Sequence, residues 1–187
     1  MVSVKFSSVN LVVVTAALAM GTAASAEVVS VSQTFYNSSN ATRSYSFYQY
    51  ANVAGGSAAS VMSGSVTATV TDLNGNGATL GAVNGLAIYT ATVNDVAVRT
   101  LWQPFSSFNV GQFLSQSTTP GAFANELVPG GATASDALLG IVLKFTLSAG
   151  DTVSFASTFT VNTVPAPGAL ALLAVSGATG AGRRRRR

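Results

Sequence analysis

Neither histidine nor cysteine occurs anywhere in the 187 residues. Their absence removes Ser-His-Asp and Cys-His nucleophilic sites and the usual zinc sites. An exported chain without cysteine gains no disulfide, so strand pairing and packing must stabilise it. Charge is scarce too: 9 Lys and Arg and 6 Asp and Glu make up 8% of the chain. Most of the cations stand at the ends, in Lys5 and in Arg183, Arg184, Arg185, Arg186 and Arg187. Residues 27–163 hold Arg43, Arg99 and Lys144 against Glu27, Asp72, Asp95, Glu126, Asp136 and Asp151, a net of −3. A body of that sign is not built to hold nucleic acid. The six acids are scattered in sequence, which gives no support to the paired carboxylates of glycoside hydrolysis. The expectation is a protein that is not an enzyme and carries no cofactor. No repeat recurs at a period of 20–50 residues.

What the body has in place of charge is hydroxyl and amide. Of its 137 residues, 45 are Ser, Thr or Asn, so these groups must wet its surface. That suits a protein living among other polymers or one carrying glycans, and Asn37-Ser-Ser and Asn40-Ala-Thr are formal glycosylation sequons. The length suits one domain with a real core.

Its periodicity is two. Ile141, Leu143, Phe145 and Leu147 alternate with Val142, Lys144 and Thr146; after the turn at residues 148–151, Val153, Phe155, Phe159 and Val161 alternate with Ser154, Ala156, Thr158 and Thr160. The two runs read as a half-buried antiparallel hairpin. Residues 86–93 and 96–102 flank Asn94-Asp95, which tolerate positive φ in a two-residue turn. That turn pairs Val93 with Val96 and Ala91 with Val98 and leaves Arg99 on the other face. Val66, Ala68 and Val70 alternate with threonines, and residues 28–36 and 43–50 read as strands joined by the Asn/Ser turn at 37–40. Two breaks follow. Residues 51–60 are rich in Gly, Ser and Ala and read as a loop. Residues 103–131 contain Pro104, Pro120 and Pro129 and read as a long connection, with one short helix at 122–127. About seven strands predict an all-β fold, a single antiparallel β-sandwich, with a barrel as the alternative.

Two stretches of the body hold candidate chemistry. Asp72-Leu-Asn-Gly-Asn-Gly77 matches the first half of a calcium loop. Val83 stands where the closing Glu belongs, which favours a Gly/Asn turn over a metal site. Trp102, with Tyr45, Tyr48, Tyr50 and Tyr89, forms either a sugar-stacking platform or packed core.

Both ends of the chain read as addresses. Residues 1–26 have the layout of a secretory signal peptide: Lys5, an apolar stretch at 11–20, and Ala24, Ser25 and Ala26 as the small-residue site for signal peptidase. Residues 164–187 begin with Val164, Pro165, Ala166 and Pro167, whose prolines keep the backbone extended and open to a protease. An uncharged run of 15 residues follows, about 22 Å long as a helix at ~1.5 Å per residue. Extension back to Val164 and snorkelling of the arginines bring it closer to the ~30 Å hydrocarbon core. Arg183–Arg187 then stop the span on the cytoplasmic side. Signal and tail agree in topology, with the body outside.

This tail resembles the PEP-CTERM sorting signal, a Pro-Glu-Pro motif, one transmembrane helix and a basic cluster. Pro165 and Pro167 match the two prolines, and Arg183–Arg187 match the basic end. Ala166 stands in the place of the Glu, which implies a sorting enzyme of altered specificity. The resemblance implies recognition and cutting by an exosortase, a membrane-embedded cysteine transpeptidase-like enzyme. It also implies a Gram-negative-type bacterium with extracellular polysaccharide. The expectation is an exported cell-surface or exopolysaccharide-matrix protein, held briefly in the inner membrane by its tail and then cut. The second reading is a secreted carbohydrate-binding or adhesive module of the same fold.

Overall fold

Alternation of apolar with hydroxyl-bearing residues makes strands with one dry and one wet face, and two sheets bury the dry faces against each other. The computed structural model describes residues 26–53, 59–104, 106–132 and 137–164. Among these are ten strands. Strands β1 (Ala26–Tyr36), β10 (Thr152–Thr163), β3 (Ala59–Thr71) and β8 (Ser115–Ala132) pair in that order as sheet A. Sheet B runs β6 (Val96–Leu101), β5 (Tyr89–Val93), β9 (Ala137–Leu147), β4 (Ala78–Ala82) and β7 (Ser107–Val110), with β2 (Arg43–Val53) also on β9. Every pairing is antiparallel. β9 is the hub. β2 covers one edge along its whole length, while β5 takes Leu139–Leu143 and β4 takes Phe145–Leu147 on the other.

The core lies between the sheets. Phe35 of β1 meets Phe145 of β9 edge-on at 5.0 Å between ring centroids, and Phe145 meets Phe155 of β10 at 4.9 Å. Val66, Ala68 and Val70 are fully buried beneath them. The outer face of sheet A carries the hydroxyls, which pair across strands: Thr34 with Ser154 at 2.7 Å, Thr69 with Ser117 at 2.7 Å, Thr71 with Ser115 at 2.8 Å. Such cross-strand pairs stabilise a sheet without charge.

Several expectations change. The run 141–147 and the run 153–161 bury the expected faces, but they do not form a hairpin. Each strand already has both edges filled, β9 by β2, β4 and β5, and β10 by β1 and β3. The turn at 148–151, with Gly150 at φ 77°, carries the chain from one sheet to the other. Their two apolar faces therefore look at each other across the core, whereas a hairpin would set them side by side.

Residues 103–131 are not a long connection, and 122–127 is not a helix. They hold β7 and most of β8. β8 is the edge of sheet A and tolerates proline because its outer side has no ladder to complete. Pro120 falls at the register shift between Val66 and Ala68, where the ladder is interrupted anyway. The run 51–60 is shorter as a break than expected, because β2 continues to Val53 and β3 starts at Ala59.

The Asn94-Asp95 turn is as read, with φ of 50° and 62° and Val93 opposite Val96. A bulge follows it, so Ala91 faces Arg99 and not Val98. Arg99 reaches out to Glu126 at 3.1 Å.

Candidate functional site

The register of sheet B assembles one groove on its outer face. Because side chains alternate along a strand, directly paired residues form ranks. Tyr48 of β2, Val142 of β9, Thr90 of β5 and Thr100 of β6 make one rank. Tyr50, Gly140, Thr92 and Ala97 make the next. Lys144, opposite Ser46, begins a third. Leu86 and Ala87 of the β4–β5 connection and Asp95 of the β5–β6 turn close the sides of an open space of about 440 Å³.

Two aromatic rings form its wall. Tyr48 and Tyr50 are i and i+2 on one strand, so their rings stand 6.5 Å apart, and their planes differ by only 14°. They are 50% and 36% exposed, enough to offer a flat, two-ring strip to a ligand. Gly140 is what lets Tyr50 lie down: a Cβ there would stand 2.6 Å from the ring and would collide with the Thr92 hydroxyl. That hydroxyl is buried and has no hydrogen-bond partner among the described residues. Partial burial, then the hydrogen bond to Asp95 and the charges of Asp95 and Tyr48, raise the Tyr50 phenol above its ordinary value. The Lys144 ammonium lies 6.0 Å from the centre of the Tyr48 ring. The groove thus offers apolar ring faces, the hydroxyls of Thr90 and Thr100, one cation and one carboxylate.

The five aromatics singled out in the sequence divide. Tyr48 and Tyr50 face solvent. Trp102 is 7% exposed and Tyr89 fully buried, and Tyr45 stacks on Phe145 at 5.3 Å. Sequence reasoning missed Thr90, Thr92, Thr100, Gly140 and Asp95 as neighbours of the tyrosines, because cross-strand register joins them. Lys144 left one signal, a lone charge in an otherwise uncharged strand.

The Asp72 loop is a turn closed by its own carboxylate. Oδ1 accepts the amides of Asn74 at 3.2 Å and Gly75 at 3.0 Å; Oδ2 accepts those of Gly77 at 3.0 Å and Phe113 at 2.7 Å. Burial raises the pKa of Asp72, but these four amides outweigh it and hold the carboxyl below its ordinary value. Asp151 beside it is raised, by burial first and also by Asp72, against lowering by Ser148 and Leu73. Both side chains are almost fully enclosed, which closes this pair of acids to a substrate.

The sequon asparagine Asn37 is 1% exposed. Its Nδ2 donates to the carbonyls of Ala41, Leu147 and Ser148, each at 2.9 Å. That nitrogen is not open to a glycan. Of the processing residues, Ala26 opens β1 opposite Asn162 on β10. Ala24, Pro165, Ala166, Pro167 and Arg183, Arg184, Arg185, Arg186 and Arg187 lie outside the described residues, as do the apolar stretches beside them.

No family model matches the chain, and no curated protein matches it. Among solved structures it is similar to that of the infectious bursal disease virus Gt strain. That match is 9% identical, covers 76% of this chain and 37% of the other, and has a TM-score of 0.31. A family two carbohydrate esterase from Cellvibrio japonicus is 12% identical, with 74% of this chain and 36% of that one covered and a TM-score of 0.18. The chain spans little more than a third of the length of either. At these scores neither likeness carries an argument about function.

Proposed function

We propose that the protein is an exported, non-enzymatic cell-surface or extracellular-matrix protein, cut at its Pro165-Ala166-Pro167 tail by an exosortase-type enzyme, whose body holds carbohydrate in the Tyr48–Tyr50 groove. The observation that carries the binding reading is the near-parallel, exposed tyrosine strip above a floor of threonine hydroxyls. Sugar rings have apolar faces that stack on flat aromatics and an equatorial rim of hydroxyls that needs donors and acceptors. The delivery reading rests on the two terminal addresses of the sequence. The pairing of Ala26 with Asn162 supports it: the chain enters and leaves the sandwich on neighbouring strands at one end of sheet A. A signal segment and a tail joined there start from the same side of the body.

Pull-down on insoluble and soluble polysaccharides tests the binding. Tyr48→Ala and Tyr50→Ala lose retention while their melting midpoints stay near wild type. Trp102→Ala, which empties a buried site, lowers the midpoint instead. Retention that survives both tyrosine changes would remove the groove from the argument and leave a structural matrix protein.

A further inference from the structure

We propose that the groove is selective for an acidic polysaccharide, a chain of pyranose rings bearing carboxylates, with Tyr48 and Tyr50 against the ring faces and Lys144 against a carboxylate. The proposal rests on the carbohydrate reading above and adds the charge of the sugar.

The three cations of the body are placed differently. Arg99 is paired with Glu126. Arg43 donates from Nε to Ser39 in the β1–β2 connection. Lys144 stands within the hub strand, pointing out of the sheet between β2 and the residues before β5. It makes no ion pair among the described residues, and its ammonium lies against the Tyr48 ring. A half-buried ammonium with no counter-charge gains most from an anion arriving with the ligand.

The acid of the groove does not cancel it. Asp95 takes the Tyr50 hydroxyl and sits at the far end. Its neighbour Asn94 is hydrogen-bonded to Leu138 through both amide and side chain, while Lys144 lies six residues further along β9. Asp95 is engaged at the Tyr50 rank, whereas Lys144 stands 6.0 Å from the centre of the Tyr48 ring, with the two rings 6.5 Å apart between them. The groove is therefore polar along its length, cationic beside Tyr48 and anionic beside Tyr50. A carboxylate on the sugar that stacks at Tyr48 lies nearest Lys144. Thr90 and Thr100 lie on the Tyr48 rank and face the hydroxyl rim of the same ring. At the other rank, a small rotation of Tyr50 would uncover the unpartnered Thr92 hydroxyl to a neighbouring sugar.

The test is titration calorimetry on the full-length protein in detergent with three probes: a polygalacturonate oligomer, a neutral β-glucan oligomer and poly-glutamate. Expected is a preference of roughly tenfold for the uronate over the neutral glycan, the scale of one charge-assisted contact, and a preference that shrinks as salt rises. Lys144→Gln should abolish the preference for the uronate. Lys144→Arg, which keeps the charge, should retain it. Tyr48→Ala should weaken both glycans. Equal binding of the two glycans, unchanged in Lys144→Gln, would overturn the charge assignment while the carbohydrate reading stands. Poly-glutamate bound as tightly as the uronate would overturn it too, because no sugar ring would be needed. Failure of both glycans at millimolar concentration would sink the carbohydrate reading itself.

Discussion

Asn37 is a polar residue used as a buried fastener. Besides the three bonds its Nδ2 donates and the two its Oδ1 accepts from Ser39, its backbone amide donates to the Asp151 carbonyl and its carbonyl accepts from the Gly150 amide. It ties the end of β1 to the turn that follows β9. Asn37→Ala should cost about 3 kcal/mol, since it strands buried carbonyls whose bonds are worth about 1 kcal/mol each, measured by urea unfolding. Mass analysis of exported protein should find no glycan on Asn37. Tyr89 is a second case. Its hydroxyl donates to the Thr158 carbonyl at 3.0 Å across the core. Burial drives its phenol well above the ordinary value of 10.0. In the unfolded chain the phenol ionises near pH 10, while in the fold it stays protonated. Its contribution is thus whole below about pH 10 and falls as pH rises above that. Tyr89→Phe should lose about 1 kcal/mol at neutral pH and show a flatter loss of melting midpoint on the alkaline side.

At the level of elements, alternation told the faces of β9 and β10 correctly and their partners wrongly. Phe155 points into the core and is 2% exposed, while Thr158 points out, where its hydroxyl meets Ser65 at 3.1 Å. Phe155→Ala should cost about 3–5 kcal/mol and Thr158→Ala under about 1 kcal/mol. Similar small losses in chemical denaturation would reverse the assigned faces. β8 was the hardest element to read, because proline and glycine mark loops in most contexts. Here the chain tolerates them only because the strand is at an edge and bulged, with Asn125 at φ 55° beside the shift between Met62 and Gly64. Edge position is a property of the sheet, and no local pattern in 115–132 records it. The groove suffers the same limit. Tyr48 and Tyr50 were visible as a pair, yet their distance in sequence from Thr90, Thr92 and Lys144 hid the floor they stand on.

For the whole molecule, the start of β1 and the end of β10 lie side by side at one end of sheet A, and the proposed cutting of the tail is tested at its two prolines. Changing Pro165 and Pro167 to leucine leaves the apolar run and the arginines intact. Insertion should then proceed and cutting should stop, so full-length protein should accumulate in the inner membrane. Fractionation of host cells, with the mass of the body measured in each fraction, checks this. Wild-type protein found solely in the membrane and still carrying Arg187 would replace sorting with a permanent anchor. The body itself should behave identically in both variants, because the changes lie beyond its last strand, which ends at Thr163.

Composition and periodicity alone determined the class of this fold. Strand faces follow from alternation because a side chain's side depends only on its parity along the strand. The exclusion of histidine and cysteine chemistry follows from absence and needs no geometry. The tertiary structure decided which strands meet. It sent β9 and β10 to opposite sheets because both edges of each were already occupied. It turned a proline-bearing stretch into an edge strand and closed Asn37 inside the β1–β9 junction. It also set Lys144 beside Tyr48 across a β2–β9 register that no spacing in the chain encodes. Pairing is a competition among all strands for a few edges, and its outcome belongs to the whole sheet.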